Sequence, residues 1–206
     1  RLAIDRSFPV AGHGTVVSGT VASGSIGVGD ELEWLPSGRS VRVRGLHRHD
    51  RAVERIGRGA RAAVNLVGVH HSEIARGQEL ASPGYLVPTR VLSVELQSVT
   101  DAPRPLRHRS RYRLHLGTAD VTATLALLDG SNEYSGEGAV VGQLFLAESV
   151  SAVHGEAFIL RDESPPTTLG GGRILQPHAR RIRRNDALAI ARLRRLGGAD
   201  PADRIA

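Results

Sequence analysis

The sequence predicts an all-β protein with two tandem β-barrels, at residues 1–88 and 89–178, followed by a short basic helical tail at residues 179–206. Short β-branched and aliphatic runs alternate with glycine-containing turns as far as residue 177, which is the pattern of closed β-structures. No stretch in that region has a convincing helical period. A segment containing proline and glycine at residues 82–88 interrupts the pattern, and we place the barrel boundary there.

The first barrel is expected to contain short strands joined by tight turns. Turns are predicted at residues 23–25 (SGS), 28–30 (VGD) and 36–38 (PSG), because glycine, proline and aspartate favour chain reversal. Between them, two runs alternate with the period of two that marks a strand with one buried face. The predicted strands are residues 15–21, 31–35, 41–44 and 61–67.

The second barrel is predicted from longer alternating runs. Residues 112–117 (YRLHLG) and 121–127 (VTATLAL) are expected to form a pair of long strands after a basic, proline-containing stretch. A glycine triplet at residues 170–172 is interpreted as a turn or bulge and not as a phosphate-binding loop, because a strand and no helix follows it. The predicted strands are residues 91–96, 112–117, 121–127, 143–146, 157–161 and 170–175.

The character of the chain changes after Pro177. Four arginines within residues 180–184 precede a run at residues 187–193 (ALAIARL), which predicts a basic helix stopped by the glycines at 197 and 198. Asn185 or Asp186 is positioned to cap this helix. The residues beyond it are too few to form a domain.

The composition excludes several classes of function. The chain has 206 residues and no cysteine, and inspection of the sequence finds that all 27 Lys or Arg positions are arginine. These absences remove thiolate metal sites, cysteine nucleophiles, a P-loop lysine and lysine-based catalysis. The net charge of +6 and the isoelectric point near 11.0 favour a polyanionic partner such as nucleic acid. No apolar run approaches the ~20 residues of a transmembrane helix, so no membrane partner is expected.

No cluster of residues predicts catalysis or a metal centre. Gly12 and Gly14 begin a pattern like a dinucleotide-binding loop, but no helix follows, which favours a tight turn between strands. His47 and His49 would share a strand face, yet no third ligand is positioned beside them. The alternate arginines of residues 107–113 would line one edge if that stretch is extended, as phosphate contacts or as a solvated surface.

Several blocks, in order along the chain, resemble the second and third domains of translational GTPases. The block at residues 115–123 (HLGTADVTA) is similar to the third domain of the elongation factor Tu group. The blocks that resemble the second domain are residues 4–8 (IDRSF), 12–21 (GHGTVVSGTV), 23–30 (SGSIGVGD), 41–47 (VRVRGLH), 59–66 (GARAAVNL) and 74–80 (IARGQEL).

Within that group the chain is most similar to the bacterial selenocysteine-specific elongation factors. Members of this family open the second domain with an Asp-Arg pair, as Asp5 and Arg6 do here, and carry arginine where Arg61 stands. The blocks at residues 143–146 (QLFL) and 158–172 also resemble the family. The resemblance covers about residues 1–178. It implies a longer parent protein whose GTP-binding domain, with GTP and magnesium, precedes this chain. The chain itself is then expected to be no enzyme and to hold no cofactor.

The resemblance implies that Asp5, Arg6 and Arg61 form the pocket for the selenocysteyl group. A selenol, like an activated thiol, ionises far more easily than a serine hydroxyl, and two guanidiniums would favour the resulting anion. An ordinary surface salt bridge is the alternative for these residues. The residues expected to contact tRNA are His47 and Arg48 of the first barrel and, at the strand edges of the second, Arg111, Arg113, His115 and Thr118.

The expected partners follow from the same resemblance. They are selenocysteyl-tRNA, the ribosome and a messenger-RNA hairpin, the last bound by a region beyond this chain, and the expected location is cytoplasmic. One alternative is another translational GTPase that handles ordinary aminoacyl-tRNA or acts on the ribosome. A stand-alone enzyme on a β-barrel is the other alternative, and no nucleophile, metal set or carboxylate pair supports it.

Overall fold

The computed structural model describes residues 1–12, 14–165 and 167–198. The chain divides into two compact units. Residues 1–88 with 117–119 form the first unit, and the other described residues from 89 onward form the second. No helix within the described residues is long and apolar enough to span a membrane.

The first unit is a closed barrel of six strands with small additions. Around the barrel the order is β4-β9-β1-β2-β8-β5, and pairing of β4 with β5 closes it. Strand β6 extends the sheet beside β5, and β3 pairs with β7 as a separate ribbon. The strands are β1 (Leu2–Val10), β2 (Gly14–Val21), β3 (Ser25–Gly27), β4 (Glu31–Leu35), β5 (Arg39–Arg48), β6 (Arg51–Val53), β7 (Arg55–Gly57), β8 (Arg61–Val67) and β9 (Glu79–Ala81), with a short 3-10 helix at His71–Glu73.

Alternation of apolar and polar residues builds the first barrel. On β2 and β8, the opposed residues Val17 and Val64 are completely buried, and their neighbours along each strand point to the other face. Trp34 on β4 joins the same core, and its indole N–H donates to Gln78 Oε1 at 2.8 Å. That hydrogen bond satisfies the polar end of the buried ring.

The second unit contains a closed barrel in the order β10-β15-β13-β12-β16-β17. Strands β11 and β14 pair separately as a two-stranded ribbon. The buried faces carry leucines such as Leu114, Leu125 and Leu160, none of which is exposed. The strands are β10 (Thr89–Ser98), β11 (Leu106–Arg107), β12 (Arg111–Leu116), β13 (Ala119–Leu127), β14 (Glu133–Tyr134), β15 (Val140–Val150), β16 (Ala157–Arg161) and β17 (Thr168–Gln176).

The glycine triplet lies inside β17, in agreement with the predicted strand at residues 170–175, so its interpretation as a turn or bulge is wrong. A Cβ at Gly170 would lie 2.5 Å from the carbonyl oxygen of Gln97, and one at Gly171 would lie 2.6 Å from that of Phe158. Glycine is therefore required where the neighbouring strands approach too closely for a side chain.

The C-terminal helix α1 (Ala187–Gly198) packs on the second barrel. Asp186 is its cap, since the carboxylate accepts a hydrogen bond from the Ala189 N–H at 3.0 Å. Ile190 and Leu193 are buried in a cluster that includes Leu175 of β17. The prediction that the glycines at 197 and 198 stop the helix is wrong, because α1 includes both of them. Residues 199–206 of the predicted tail lie outside the described residues. The predicted fold class, two β-barrels with a short basic helix, is confirmed.

Candidate functional site

A β-bulge in β1 presents two charged residues next to each other. Ile4 lies opposite Gly19 of β2 and Arg6 lies opposite Ser18, so the register leaves Asp5 without a partner of its own. Asp5 and Arg6 therefore both face the single residue Ser18, which is the arrangement that a bulge produces. Bulges often redirect side chains beside functional sites.

Asp5 is the centre of a hydrogen-bonded cluster. Its carboxylate accepts two hydrogen bonds from the Arg61 guanidinium, one of them from Nη2 to Oδ1 at 3.0 Å. The Ser18 hydroxyl donates to the same Oδ1 at 2.8 Å, and Arg61 Nη2 also lies 3.3 Å from Ser18 Oγ. The carboxylate thus fixes the orientation of the arginine while the Arg61 side chain stays 55% exposed, so its charge remains accessible.

Strand register explains why residues so far apart in sequence meet. Arg61 begins β8 opposite Thr20, and two residues further on Ala63 lies opposite Ser18. The structure therefore brings Asp5 and Arg61 together, as the resemblance to the family implied. It adds Ser18, which the sequence analysis missed. The only sequence signal for Ser18 was its position in a strand next to the Asp-Arg pair.

The other residues expected near this cluster occupy different positions. The Arg6 side chain is exposed and makes no hydrogen bond or ion pair to any described residue. His47 of β5 lies opposite Ala63 of β8, which in turn lies opposite Ser18 of β2. His47 is therefore two strands away from Ser18, a separation of about 10 Å. Arg48 lies opposite Arg51 at the start of a tight turn. The structure does not bring His47 or Arg48 into contact with the Asp5 carboxylate.

The basic stretch before and within β12 is not one continuous extended strand, so the condition for a single edge of alternate arginines is not met. Arg109 has a φ of +62°, a left-handed turn conformation that breaks the run. Within β12, Arg111, Arg113 and His115 do share the outer face. Thr118 lies in the turn that follows β12.

Most arginines of this stretch are paired with carboxylates. Arg111 lies 3.1 Å from Glu163, and Arg113 lies 2.9 Å from Asp120, whose carboxylate is also 3.8 Å from His115. Arg104 binds Asp162 through two hydrogen bonds, and the guanidinium holds the pKa of that carboxyl below its usual range. A phosphate that contacts these arginines would therefore compete with acidic partners.

Histidines and acids do not form a metal centre in the described parts of the chain, where no group of three potential ligands converges. Gly12 and Gly14 both have positive φ, consistent with the predicted turn between β1 and β2. His13, the residue between them, lies outside the described residues.

Two family models match the chain, one for each barrel. Residues 14–81 match elongation factor Tu domain 2, and residues 91–181 match the β-barrel domain of the selenocysteine-specific elongation factor. The match to elongation factor Tu domain 2 agrees with the barrel topology and with the charged cluster on β1. The class of protein is therefore defined: these are β-barrel domains of a translation elongation factor.

Relatives and solved structures identify the family. The chain is 42% identical over 185 residues, 90% of its length, to the selenocysteine-specific elongation factor of Desulfomicrobium baculatum, and 33% identical over 177 residues, 85% of its length, to that of Escherichia coli. A crystal structure of a bacterial selenocysteine-specific elongation factor matches 95% of the chain with a TM-score of 0.78 and 25% identity. The apo structure of translation elongation factor SelB from Methanococcus maripaludis matches 84% of it, with a TM-score of 0.73 and 26% identity.

The chain is therefore a β-barrel region of the selenocysteine-specific elongation factor family. It spans only part of the proteins it matches: 29% of the Desulfomicrobium protein and 26% of the Escherichia protein. The same holds for the two structures, of which it covers 30% and 41%.

Proposed function

We propose that this chain is the tRNA-binding module of a selenocysteine-specific elongation factor, which carries selenocysteyl-tRNA to the ribosome. The observation that supports this proposal most is the Asp5–Ser18–Arg61 cluster beside an exposed Arg6. Because the chain belongs to the selenocysteine-specific elongation factor family, selenocysteyl-tRNA is the ligand that we assign to this anion-binding cluster.

The proposed pocket recognises the charge of the aminoacyl side chain. An ionised selenol is an anion, and Arg61 with Arg6 offers two guanidiniums on one side of the bulge. Asp5 neutralises part of this charge and holds Arg61 in place. A seryl group brings no charge, so binding it would desolvate the Arg6 guanidinium, which has no acidic partner among the described residues, and the pocket disfavours it.

The remaining parts of the proposal concern the parent protein. A GTP-binding domain that uses magnesium would regulate tRNA binding, and a further region would bind the messenger-RNA hairpin. On β12, Arg111, Arg113 and His115 would contact the tRNA backbone by exchanging carboxylate partners for phosphates, and Thr118 in the following turn would add a contact. The factor would act in the cytoplasm, and these barrels would contribute binding and no catalysis.

The proposal is tested with the full-length parent protein bound to GTP. Arg61→Ala is compared with Arg58→Ala, which removes the same charge from an exposed turn residue with no partner among the described residues. Dissociation constants for selenocysteyl-tRNA and seryl-tRNA are measured on the same tRNA body at one salt concentration. A charge-assisted contact is worth about 1.5–3 kcal/mol, or roughly 10- to 100-fold in affinity.

The expected result is that Arg61→Ala weakens selenocysteyl-tRNA binding at least about tenfold and leaves seryl-tRNA binding nearly unchanged. Arg58→Ala should change neither. Equal losses for both aminoacyl groups in Arg61→Ala would show that this arginine contributes to general RNA attraction and not to recognition of the side chain.

A further inference from the structure

A groove on the second unit lies apart from the charged face of β12. It encloses about 1150 Å³ and is lined by parts of β13 and β15, the turn before β12 and the segment that precedes α1. Thr124 of β13 and Phe145 of β15, which are paired in the barrel, both line it. The titratable side chains that line the groove are Arg109, Arg181, Arg183, Arg184 and His108.

The segment that carries three of these arginines is fixed to the barrel by a buried side chain. Gln143 of β15 has no exposed surface. Its Nε2 donates to the carbonyl of Arg180 at 2.8 Å, and its Oε1 accepts from the Ile182 N–H at 2.9 Å. Both ends of one amide therefore hold the backbone on either side of Arg181, so the groove is pre-formed and not assembled from loose side chains.

Arg184 is held by neutral acceptors. It donates to the carbonyl of Ser131 at 2.7 Å and to Asn132 Oδ1 at 2.9 Å, and these contacts fix the guanidinium without cancelling its charge. Arg181 is placed with its Cζ atom 5.8 Å from the ring centre of Phe145. A cation–π contact of this kind orients the side chain and also leaves its charge uncompensated.

The groove differs from the arginine face of β12 in having no acidic partners. None of the described residues that line it is an aspartate or a glutamate. Among the described residues, Arg109 and Arg183 make no ion pair, whereas Arg111 and Arg113 each do. The lining therefore concentrates positive charge that no carboxylate of the lining itself offsets.

His108 adds a hydrogen-bond donor. The Leu127 N–H donates to its Nδ1 at 3.1 Å, so a neutral ring carries its proton on Nε2. Burial lowers the pKa of His108, and the positive charges of Arg184 and Arg109 lower it further. At neutral pH the groove thus combines four guanidiniums, two of which (Arg181 and Arg184) are held in place, with one neutral imidazole N–H.

We propose that this groove binds the backbone phosphates of an RNA duplex. Guanidiniums without acidic partners are available to donate to phosphate oxygens, and a groove of this size admits more than one phosphate. Binding of single-stranded RNA usually depends on several exposed aromatic rings, and here the one aromatic ring, Phe145, is already covered by Arg181. The choice of RNA over another polyanion rests on the proposed function.

The test uses a short, labelled RNA duplex of unrelated sequence that carries no amino acid. Its affinity for this chain is measured over a range of salt concentrations. The groove variant is Arg109→Ala/Arg183→Ala, and the matched control is Arg90→Ala/Arg192→Ala, which removes two exposed arginines outside the groove. Both variants lower the net charge by the same amount, so long-range attraction changes equally.

The logarithm of the association constant falls as the logarithm of the salt concentration rises. Each lost phosphate contact should reduce the magnitude of this negative slope by roughly 0.9, so the groove variant should reduce it by about 2. The control should keep the slope of the parent chain. Equal loss of slope in both variants would overturn the proposal in favour of diffuse attraction, and tighter binding of the single strand would overturn the choice of a duplex. Because the probe is not aminoacylated, this result is independent of the Arg61→Ala test.

Discussion

Gly172 is enclosed so tightly that a single added methyl group should destabilise the second barrel. A Cβ at this position would lie 1.9 Å from the carbonyl oxygen of Glu95 and 2.8 Å from Leu96 Cα. Both atoms belong to the backbone of β10, which pairs with β17 there, so no side-chain rotation relieves the clash. The two strands would have to separate and weaken their hydrogen bonds. We expect Gly172→Ala to lower the free energy of unfolding by about 3 kcal/mol, the upper range for overpacking.

Thermal and urea unfolding, followed by circular dichroism, measure this effect. At about 4–8 °C per kcal/mol for a domain of this size, the melting temperature of the second barrel should fall by roughly 12–24 °C. Gly136→Ala is the control, because a Cβ there makes only an ordinary contact, 3.6 Å from Tyr134 Cε2. If Gly172→Ala changed stability by less than about 0.5 kcal/mol, like the control, the close approach of β10 and β17 would be refuted.

Three other substitutions test separate parts of the fold, each by urea unfolding. Ile4→Ala empties a fully buried position in the first barrel and should cost about 3 kcal/mol. Asp186→Ala removes the helix cap and should cost about 1 kcal/mol, with loss of helical signal before the barrel unfolds. Asp162→Asn should cost about 1 kcal/mol at pH 7, because Arg104 lowers the pKa of this carboxyl and so stabilises the folded state at pH values above about 4.

The controls for these substitutions are on the same chain. Leu188→Ala, at a side chain that is 81% exposed, should change stability by less than about 0.5 kcal/mol, in contrast to Ile4→Ala. The difference between Asp162→Asn and the parent chain should shrink as the pH falls below about 4, where the carboxyl of the unfolded parent chain becomes protonated, and it should be lost as the pH falls through the lowered pKa of the folded carboxyl. A difference that stays constant from pH 7 to pH 3 would mean that the ion pair does not stabilise the fold.

Strands with clear alternation could be predicted from the sequence alone. Strands β4, β8 and β16 have the predicted bounds, and for β4 the period of two indicated them. Six strands of two or three residues were missed because they are too short to display a period: β3, β6, β7, β9, β11 and β14. Strand β1 was also missed, because the bulge between Ile4 and Arg6 interrupts its alternation. The turn at Arg109 was missed for a different reason: a non-glycine residue with positive φ leaves no signal in the pattern of charges.

The candidate site was less accessible to sequence reasoning than the fold. Asp5 and Arg61 are separated by 56 positions, so only resemblance to a family could associate them. The bulge that turns Asp5 and Arg6 toward Ser18 depends on strand register, which single-sequence patterns do not determine. The acidic partners of Arg111 and Arg113 likewise become visible only when β12 is placed beside its neighbours.

The central claim is that the first barrel reads the charge of an aminoacyl side chain. It is tested most directly by the ratio of the dissociation constants of seryl-tRNA and selenocysteyl-tRNA, on one tRNA body, for the GTP-bound parent protein at pH 7. Recognition by two guanidiniums predicts a ratio of at least about 100 in favour of selenocysteyl-tRNA. A ratio near one would contradict the account and leave a factor that binds tRNA without regard to its amino acid.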